Sequence, residues 1–386
     1  MDPATIAPSN QEVRIQLRTG ARIRELRQAR GMRSRDLAAL ARISQGQLSK
    51  IENGKAAISI KNLGRLCRIL DRPVSYLFQT DAEMPKVLGT VTTVKGPENK
   101  AIQWFAAEVE RLSANRISLL PLTAAQLGSA DDQIELLSRG VIDLFIDDLA
   151  VYQKFDPAFQ VFEFPYTFRS VSHQQAFLEG LFFSNRMRPA LKKHGICFLN
   201  PRWNWVRGLE WVLIASRPIR HPGDIRDLRV RITESGSLAR FWRLLGAQPV
   251  AVPWAGIKKA LRDGRIDVVP THKSHLYPLG FCRYARYVTL LGDVPPVLGI
   301  GVNRIKYQAL VPAIQDVLRS ASIAAGDYFT TLVRQTEKAN EHMNIRRYRA
   351  VYLNIDPHPW RQATQAVLER LLSRQALPRE AWNELG

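Results

Sequence analysis

Two glutamines one residue apart, Gln45 and Gln47, stand in the string SQGQLSKIENGK that begins at Ser44. A carboxamide carries a donor and an acceptor side by side, so each can pair two ways with an adenine edge. Ser49 can reach a base or a phosphate. Lys50 and Lys55, with Asn53 between them, suit phosphate oxygens that fix register and carry no sequence information. The surrounding stretch, Gly31 to Asn53, reads as two short helices joined by a tight turn, the second showing small polar side chains. That arrangement sets a helix into the major groove of DNA.

The elements that must hold this helix are legible around it. From Thr19 the apolar residues Ile23 and Leu26 have helical spacing, and Gly31 suits the residue just past a helix end. Ser34 reads as an N-cap for a helix carrying Leu37, Ala38, Leu40 and Ala41, and Ser44 as the cap of the reading helix. Leu48 and Ile51 then face inward, and Gly54 ends the turn. A further amphipathic segment runs from Ile60 to Leu70, and Pro73, Tyr76, Leu77 and Phe78 close a small core. Five helical pieces in about sixty residues make one compact all-α domain over residues 14–80, followed by a short polar linker at 81–85 that ends in Pro85.

Charge agrees with that reading. The 386 residues hold 55 Lys and Arg against 35 Asp and Glu, a net +20. Between Arg14 and Thr80 there are 15 Lys and Arg against 4 Asp and Glu, so more than half of the excess lies in about a sixth of the chain. A compact basic domain is the footprint of a polyanion binder. Cys67, Cys197 and Cys282 are far apart and form no zinc-ligand spacing, which fits a reducing compartment. No basic-then-apolar leader pattern opens the sequence, and no apolar run approaches the roughly 18 residues of a membrane span. The expectation is a cytoplasmic protein without a membrane partner.

The string IRELRQARGMRSRDLAALARISQGQLSKIENGKAAISIKNLGRLCRILDRPVSYLF is similar along its whole length to the lambda-repressor-like (XRE/Cro type) helix-turn-helix family. The resemblance implies that the helix from Ser44 to Glu52 enters the major groove. It also implies a backbone contact from Arg35, where the family more often has Gln. Gly46 departs from the family, which usually shows a side chain there.

After the linker, apolar runs alternate with helical patterns. Val87–Val94, Ile117–Pro121 and Ile142–Ile146 read as strands, with helices at Lys100–Ser113 and Leu127–Arg139. The pattern restarts at Trp211, with WVLIAS, LRVRI, a helix Ser237–Leu245 and PVAV, and a long helix is expected from Lys306 to about Asn340. Two α/β halves and a late helix describe a bilobed protein with a cleft at the lobe junction over residues 86–386.

Phrases such as FEFPYTFRS, SRPIRHPGDIRDLRVRI and FWRLLGAQPVAVPWAGIKKALRDGRIDVV resemble the TRAP-transporter solute-binding family of the DctP type, from about Lys86 to Leu372. The resemblance implies a periplasmic-binding-protein-like (type II) fold and a cleft for a small organic acid. Its central ligand group falls on Arg231 in LRVRI. A planar guanidinium holds a carboxylate by two parallel bonds, which Lys cannot reproduce. A second family arginine falls on Arg207, in Asn204–Trp205–Val206–Arg207, and an aromatic against the ligand on Trp254. The sequence also departs from the family. Thr271 stands where an Asn is usual, Val269 replaces a Gln and Thr233 a Pro, so the cleft is retuned. His272 and His275 lie three apart, but with no carboxylates at ligand spacing they line or flank the cleft and hold no metal.

These readings combine into a one-component transcription regulator: a homodimer binding double-stranded DNA and sensing a carboxylate-bearing effector. The alternative is a ligand-blind repressor whose second domain serves dimerisation or partner recruitment. No Gly-rich phosphate loop, GxSxG elbow or HExxH motif is present, so neither an enzyme nor a cofactor is expected.

Overall fold

The computed structural model describes residues 10–78, 86–90, 96–122, 124–208 and 210–385. The linker expected at 81–85 and the second half of the strand expected at Val87–Val94 lie outside them.

The N-terminal unit is helical: α1 (Asn10–Ala29), α2 (Ser34–Ala41), α3 (Gln45–Glu52) and α4 (Ile60–Ile69), closed by a 3-10 turn at Val74–Phe78. Helix α1 starts nine residues before Thr19. Ser34 is the first residue of α2 and not its cap, since Arg33 holds the cap position without a side-chain bond. Ser44 and Ser59 do cap α3 and α4, accepting from the backbone N–H of Gln47 and Asn62. Leu37, Leu48, Ile51, Leu63, Leu66 and Leu70 are buried together in one core.

Lobe I opens with β1 (Lys86–Thr90), α5 (Pro97–Leu112), β2 (Leu119–Leu122), α6 (Ala124–Leu127), α7 (Ala130–Ser138) and β3 (Leu144–Asp148). The single helix expected over Leu127–Arg139 is broken. Gly128 sits at φ +92, and Ser129 starts α7 with a capping box to Asp132. Helices α8 (Val171–Glu179) and α9 (Arg188–Lys193) lead to β4 (Ile196–Phe198). Lobe II contains β5 (Trp211–Ala215), β6 (Arg229–Ile232), α10 (Gly236–Leu244), β7 (Gln248–Ala251), α11 (Ile257–Arg262), β8 (Val268–His272), α12 (Leu276–Leu279) and β9 (Tyr287–Leu290). The chain returns to lobe I for β10 (Leu298–Asn303) and α13 (Arg304–Gln308). It then runs through α14 (Pro312–Tyr348) to β11 (Val351–Asn354), α15 (His358–Ser373) and α16 (Arg379–Asn383). The late helix starts later than expected because Pro312 occupies its first turn, and it continues to Tyr348.

Lobe I is a five-stranded sheet, β2-β1-β3-β10-β4, and lobe II a six-stranded one, β11-β9-β5-β8-β6-β7. Residues 199–208 and 291–297 cross between them and touch through an antiparallel bridge between Val206 and Val297. The first crossing is clamped to α14. Trp205 Nε1 donates to the Ser322 carbonyl at 2.7 Å, and Asn204 Nδ2 to that of Ile323 at 2.8 Å. Gly326 allows this approach: a Cβ there would lie 2.4 Å from Asn204 Oδ1. Helix α14 packs against α5 of lobe I and α12 of lobe II, so it spans the junction.

The helical unit rests on lobe I. Ile60 of α4 packs against the lobe I core, and Val141, just after α7, packs against the core of the helical unit.

Candidate functional site

Helix α3 presents Gln45, Gln47, Ser49 and Lys50 as exposed side chains, with Lys55 exposed beyond it. Leu48 and Ile51 anchor the opposite face in the core. Beneath it, buried Glu52 accepts a bidentate pair from Arg27, Nε at 2.7 Å and Nη2 at 2.9 Å, which locks α3 to α1. Two residues expected at the DNA surface are engaged within the domain. The Ser44 hydroxyl accepts from Gln47 N–H at 3.0 Å, and Asn53 accepts from Arg24 while donating to the Ser49 carbonyl. Both therefore shape the helix ends. Arg35 is exposed, its Nε 3.4 Å from Asp36. Around Gly46 there is open space, so a phosphate or base can come close.

The second constellation lies between the lobes. Arg231, on β6, donates Nε to the Val252 carbonyl at 2.9 Å, and its guanidinium lies 5.6 Å from the centroid of the Trp254 ring. Burial lowers its pKa to about 10. No carboxylate pairs with it among the described residues, so the remaining guanidinium edge is available to an anion. Trp254 also packs edge-on to His275, ring centroids 5.1 Å apart. Thr271 belongs to β8, and its hydroxyl is 3.3 Å from His275 Nδ1. His272 is buried edge-on to Trp211, and burial holds it well below its usual pKa, so it is neutral at pH 7.

Arg207 occupies a different environment from the one expected. It sits in the first crossing, buried, with Nε and Nη2 donating to Glu98 at 3.2 and 3.0 Å and Nη2 to Asp147 at 2.8 Å. Burial opposes its charge, but Glu98, Asp147 and Asp148 outweigh that and push its pKa up. Burial likewise opposes ionisation of Glu98, but Arg207 and His275 prevail and hold it low. His275 Nε2 lies 3.7 Å from Glu98, which joins lobe II to this lobe I cluster. A second link crosses nearby: Ser237, in α10, donates to Glu163 at 2.9 Å. Neighbouring Asp148 is pushed up to about 6 by burial, with Arg207 opposing.

Among the described residues, Arg231 thus stands without a carboxylate partner, and Arg207 is neutralised internally. The His275–Glu98 and Ser237–Glu163 contacts bridge the two lobes. A cavity of about 20 Å³ beside Asp148, Trp211 and Asp293 has room for roughly one water. Sequence reasoning missed Glu98, Asp147, Asp148 and Glu163. The available signal was the pair Asp147–Asp148 ending an otherwise apolar buried strand, LFIDD. Glu98, just inside a helix start, reads as an ordinary first-turn acid.

The fold and these two sites define a class: a two-lobed solute-binding domain carrying a helix-turn-helix head. The family model described as "Bacterial extracellular solute-binding protein, family 7" (DctP) matches residues 88–375, and a helix-turn-helix model matches residues 23–77. The chain belongs to the DctP family of solute-binding proteins and carries a helix-turn-helix unit ahead of it. Among curated relatives, the 2,3-diketo-L-gulonate-binding periplasmic protein YiaO of Escherichia coli is 22% identical over 250 residues, covering 65% of this chain and 75% of its own. The sialic acid-binding periplasmic protein SiaP of Vibrio cholerae is 21% identical, covering 75% and 89%. Among solved structures, a TRAP periplasmic solute-binding protein of Sulfitobacter with bound β-D-galacturonate superposes with TM-score 0.70 at 19% identity, covering 78% of this chain and 98% of that one. One from Shewanella oneidensis with bound succinate gives 0.69 at 15%, covering 78% and 97%. These likenesses establish the fold. No helix among the described residues is long and apolar enough to cross a membrane.

Proposed function

We propose that this chain is a one-component transcription regulator of the XRE type, acting in the cytoplasm as a homodimer. Its α3 helices read operator half-sites about one helical turn apart, and its cleft senses a small organic acid. One observation carries the sensing half: a half-buried guanidinium, Arg231, backed by Trp254 and without a carboxylate partner among the described residues. A desolvated cation favours an anion at its open edge. The effector has one carboxylate, since Arg207 is already neutralised by Glu98 and Asp147. The relatives' ligands named above, a diketogulonate, a galacturonate and succinate, are carboxylates as well.

The mechanism is linkage. Ligand shifts the balance between parted and closed lobes, and the head rides on lobe I through Ile60 and Val141. Lobe rotation therefore changes the geometry offered to paired half-sites, and operator affinity follows.

Thermal unfolding across a panel of sugar acids, mono- and dicarboxylates tests this, with Arg231→Ala in parallel. A ligand bound to the native state raises the melting temperature by mass action. A monocarboxylate shift that vanishes in Arg231→Ala supports the sensor; a shift retained in the variant removes Arg231 from the site. One observation favours a second reading. The Glu98–Arg207–Asp147 cluster already pairs the Arg207 guanidinium with carboxylates of this chain. No shift with any acid would favour a ligand-blind repressor whose second domain assembles the dimer.

A further inference from the structure

One end of lobe II collects arginines that the cleft and the reading helix do not use. Arg346, Arg347 and Arg349 stand at the C-terminal end of α14, and Arg283 and Arg286 on the loop between α12 and β9. The two segments are neighbours: Val351 N–H donates to the Arg286 carbonyl at 2.8 Å, and Val351 pairs with Tyr287 between β11 and β9. All five arginines are exposed. No Asp or Glu occurs from Val268 to Gly292 or from His342 to Ile355, and no carboxylate pairs with any of the five among the described residues.

Three of them are held against rings. Arg283 lies over Tyr284 at 5.8 Å, Arg286 over Tyr287 at 5.2 Å and Arg347 over Tyr348 at 5.6 Å. Tyr284 and Tyr348 are themselves packed on the lobe II core. A guanidinium lying on a ring is ordered; Arg286 gives one N–H to the Tyr287 hydroxyl at 3.1 Å, and the N–H groups left over on the three can take a phosphate by parallel bonds. Helix polarity accounts for cations at Arg346 and Arg347, in the last turn of α14. It does not account for Arg283 and Arg286, which belong to another segment.

We propose that this tyrosine-backed arginine surface is a second DNA-contact surface, holding the phosphate backbone outside the half-site that α3 reads. It rests on the reading of the chain as a DNA-binding protein. Its contacts are sequence-independent, so it adds affinity and salt sensitivity without altering base preference. A polyanion of regularly spaced phosphates suits a surface of five cations without acids, and the head already brings duplex DNA to this chain.

The test measures affinity of the full chain for a duplex longer than one operator, against salt concentration. The patch variant replaces the five arginines by Ser. A control variant replaces Arg169, Arg240, Arg243, Arg370 and Arg374 instead, matching the charge change. The slope of log K against log salt falls by about 0.9 for each lost phosphate contact. The patch variant is expected to lose roughly 2–4 units of slope beyond the control, with the ranking of operator sequences unchanged. Replacement of the same five by Lys keeps most of the slope. Equal slopes for patch and control variants overturn the proposal and leave the surface to an acidic protein. A wild-type chain that binds no duplex overturns the DNA-binding reading itself. Circular dichroism of each variant excludes misfolding as the cause.

Discussion

Replacing Arg207 by Met removes the cation from a cluster in which Glu98 and Asp147 are each only 4% exposed. Those carboxylates then face each other with His275, 3.7 Å from Glu98, as the nearby basic group and with three hydrogen bonds of 2.8–3.2 Å gone. Breaking a buried pair from one side costs about 3–5 kcal/mol, most of it the stranded charge. At roughly 2–4 °C per kcal/mol for a chain of this class, the melting temperature falls by on the order of 10 °C. The loss belongs to the carboxylates, so the triple variant Arg207→Met, Glu98→Gln, Asp147→Asn should recover most of it. Thermal unfolding at pH 7.5, followed by circular dichroism and repeated with denaturant, gives both numbers. A single variant within about 1 kcal/mol of wild type, or a triple variant no better than the single, refutes the buried-charge reasoning. In the latter case Arg207 acts through packing alone.

Asp293 is pushed up to about 7 by burial, so the folded state retains its proton where the unfolded chain has lost it. The folded state thus binds more protons between about pH 4 and 7, and this group's contribution to stability falls as pH rises through that window. Asp293→Asn should raise the free energy of unfolding at pH 8, by no more than about 4 kcal/mol, and change little at pH 4; unfolding at both pH values checks it. Gln45→Ala with Gln47→Ala should reduce discrimination between operator and random duplex, each base contact contributing roughly 1–3 kcal/mol. Nonspecific affinity should stay near wild type, and unchanged discrimination in anisotropy titrations removes α3 from the reading role. Val141→Asp places a charge where lobe I meets the head. It should weaken the effector's influence on DNA affinity while the cleft binds effector as before, measured by anisotropy and calorimetry on one preparation.

Local chemistry made the head readable. The Ser44 cap, the inward Leu48 and Ile51 and the turn at Gly54 each depend on neighbours within a few residues. The strands β2, β3, β5, β6 and β7 are readable from apolar runs to within a few residues, whereas β4, β9, β10 and β11 went unread. Two errors are also local. Gly128 and Ser129 break a helix that apolar spacing alone continues, and Ser34 lies one residue inside α2. The cleft is different in kind. Glu98 and Asp147 reach Arg207 across 109 and 60 residues, and no local pattern carries such a pairing. Arg231 was reached through the family resemblance, and the fold shows why it stands apart from Arg207. Its strand turns it toward Trp254 and the Val252 carbonyl, whereas the crossing segment directs Arg207 into the lobe I acids.

The central claim is that one chain couples cleft occupancy to DNA affinity. The direct measurement is the affinity of the full chain for a duplex selected from a random library, by fluorescence anisotropy at fixed salt, with and without a saturating acid found in the thermal panel. The account predicts a change of at least about fivefold, the lower end of typical coupling between sites, and none in Arg231→Ala. Equal affinity with and without an acid that demonstrably binds the wild-type cleft would contradict it.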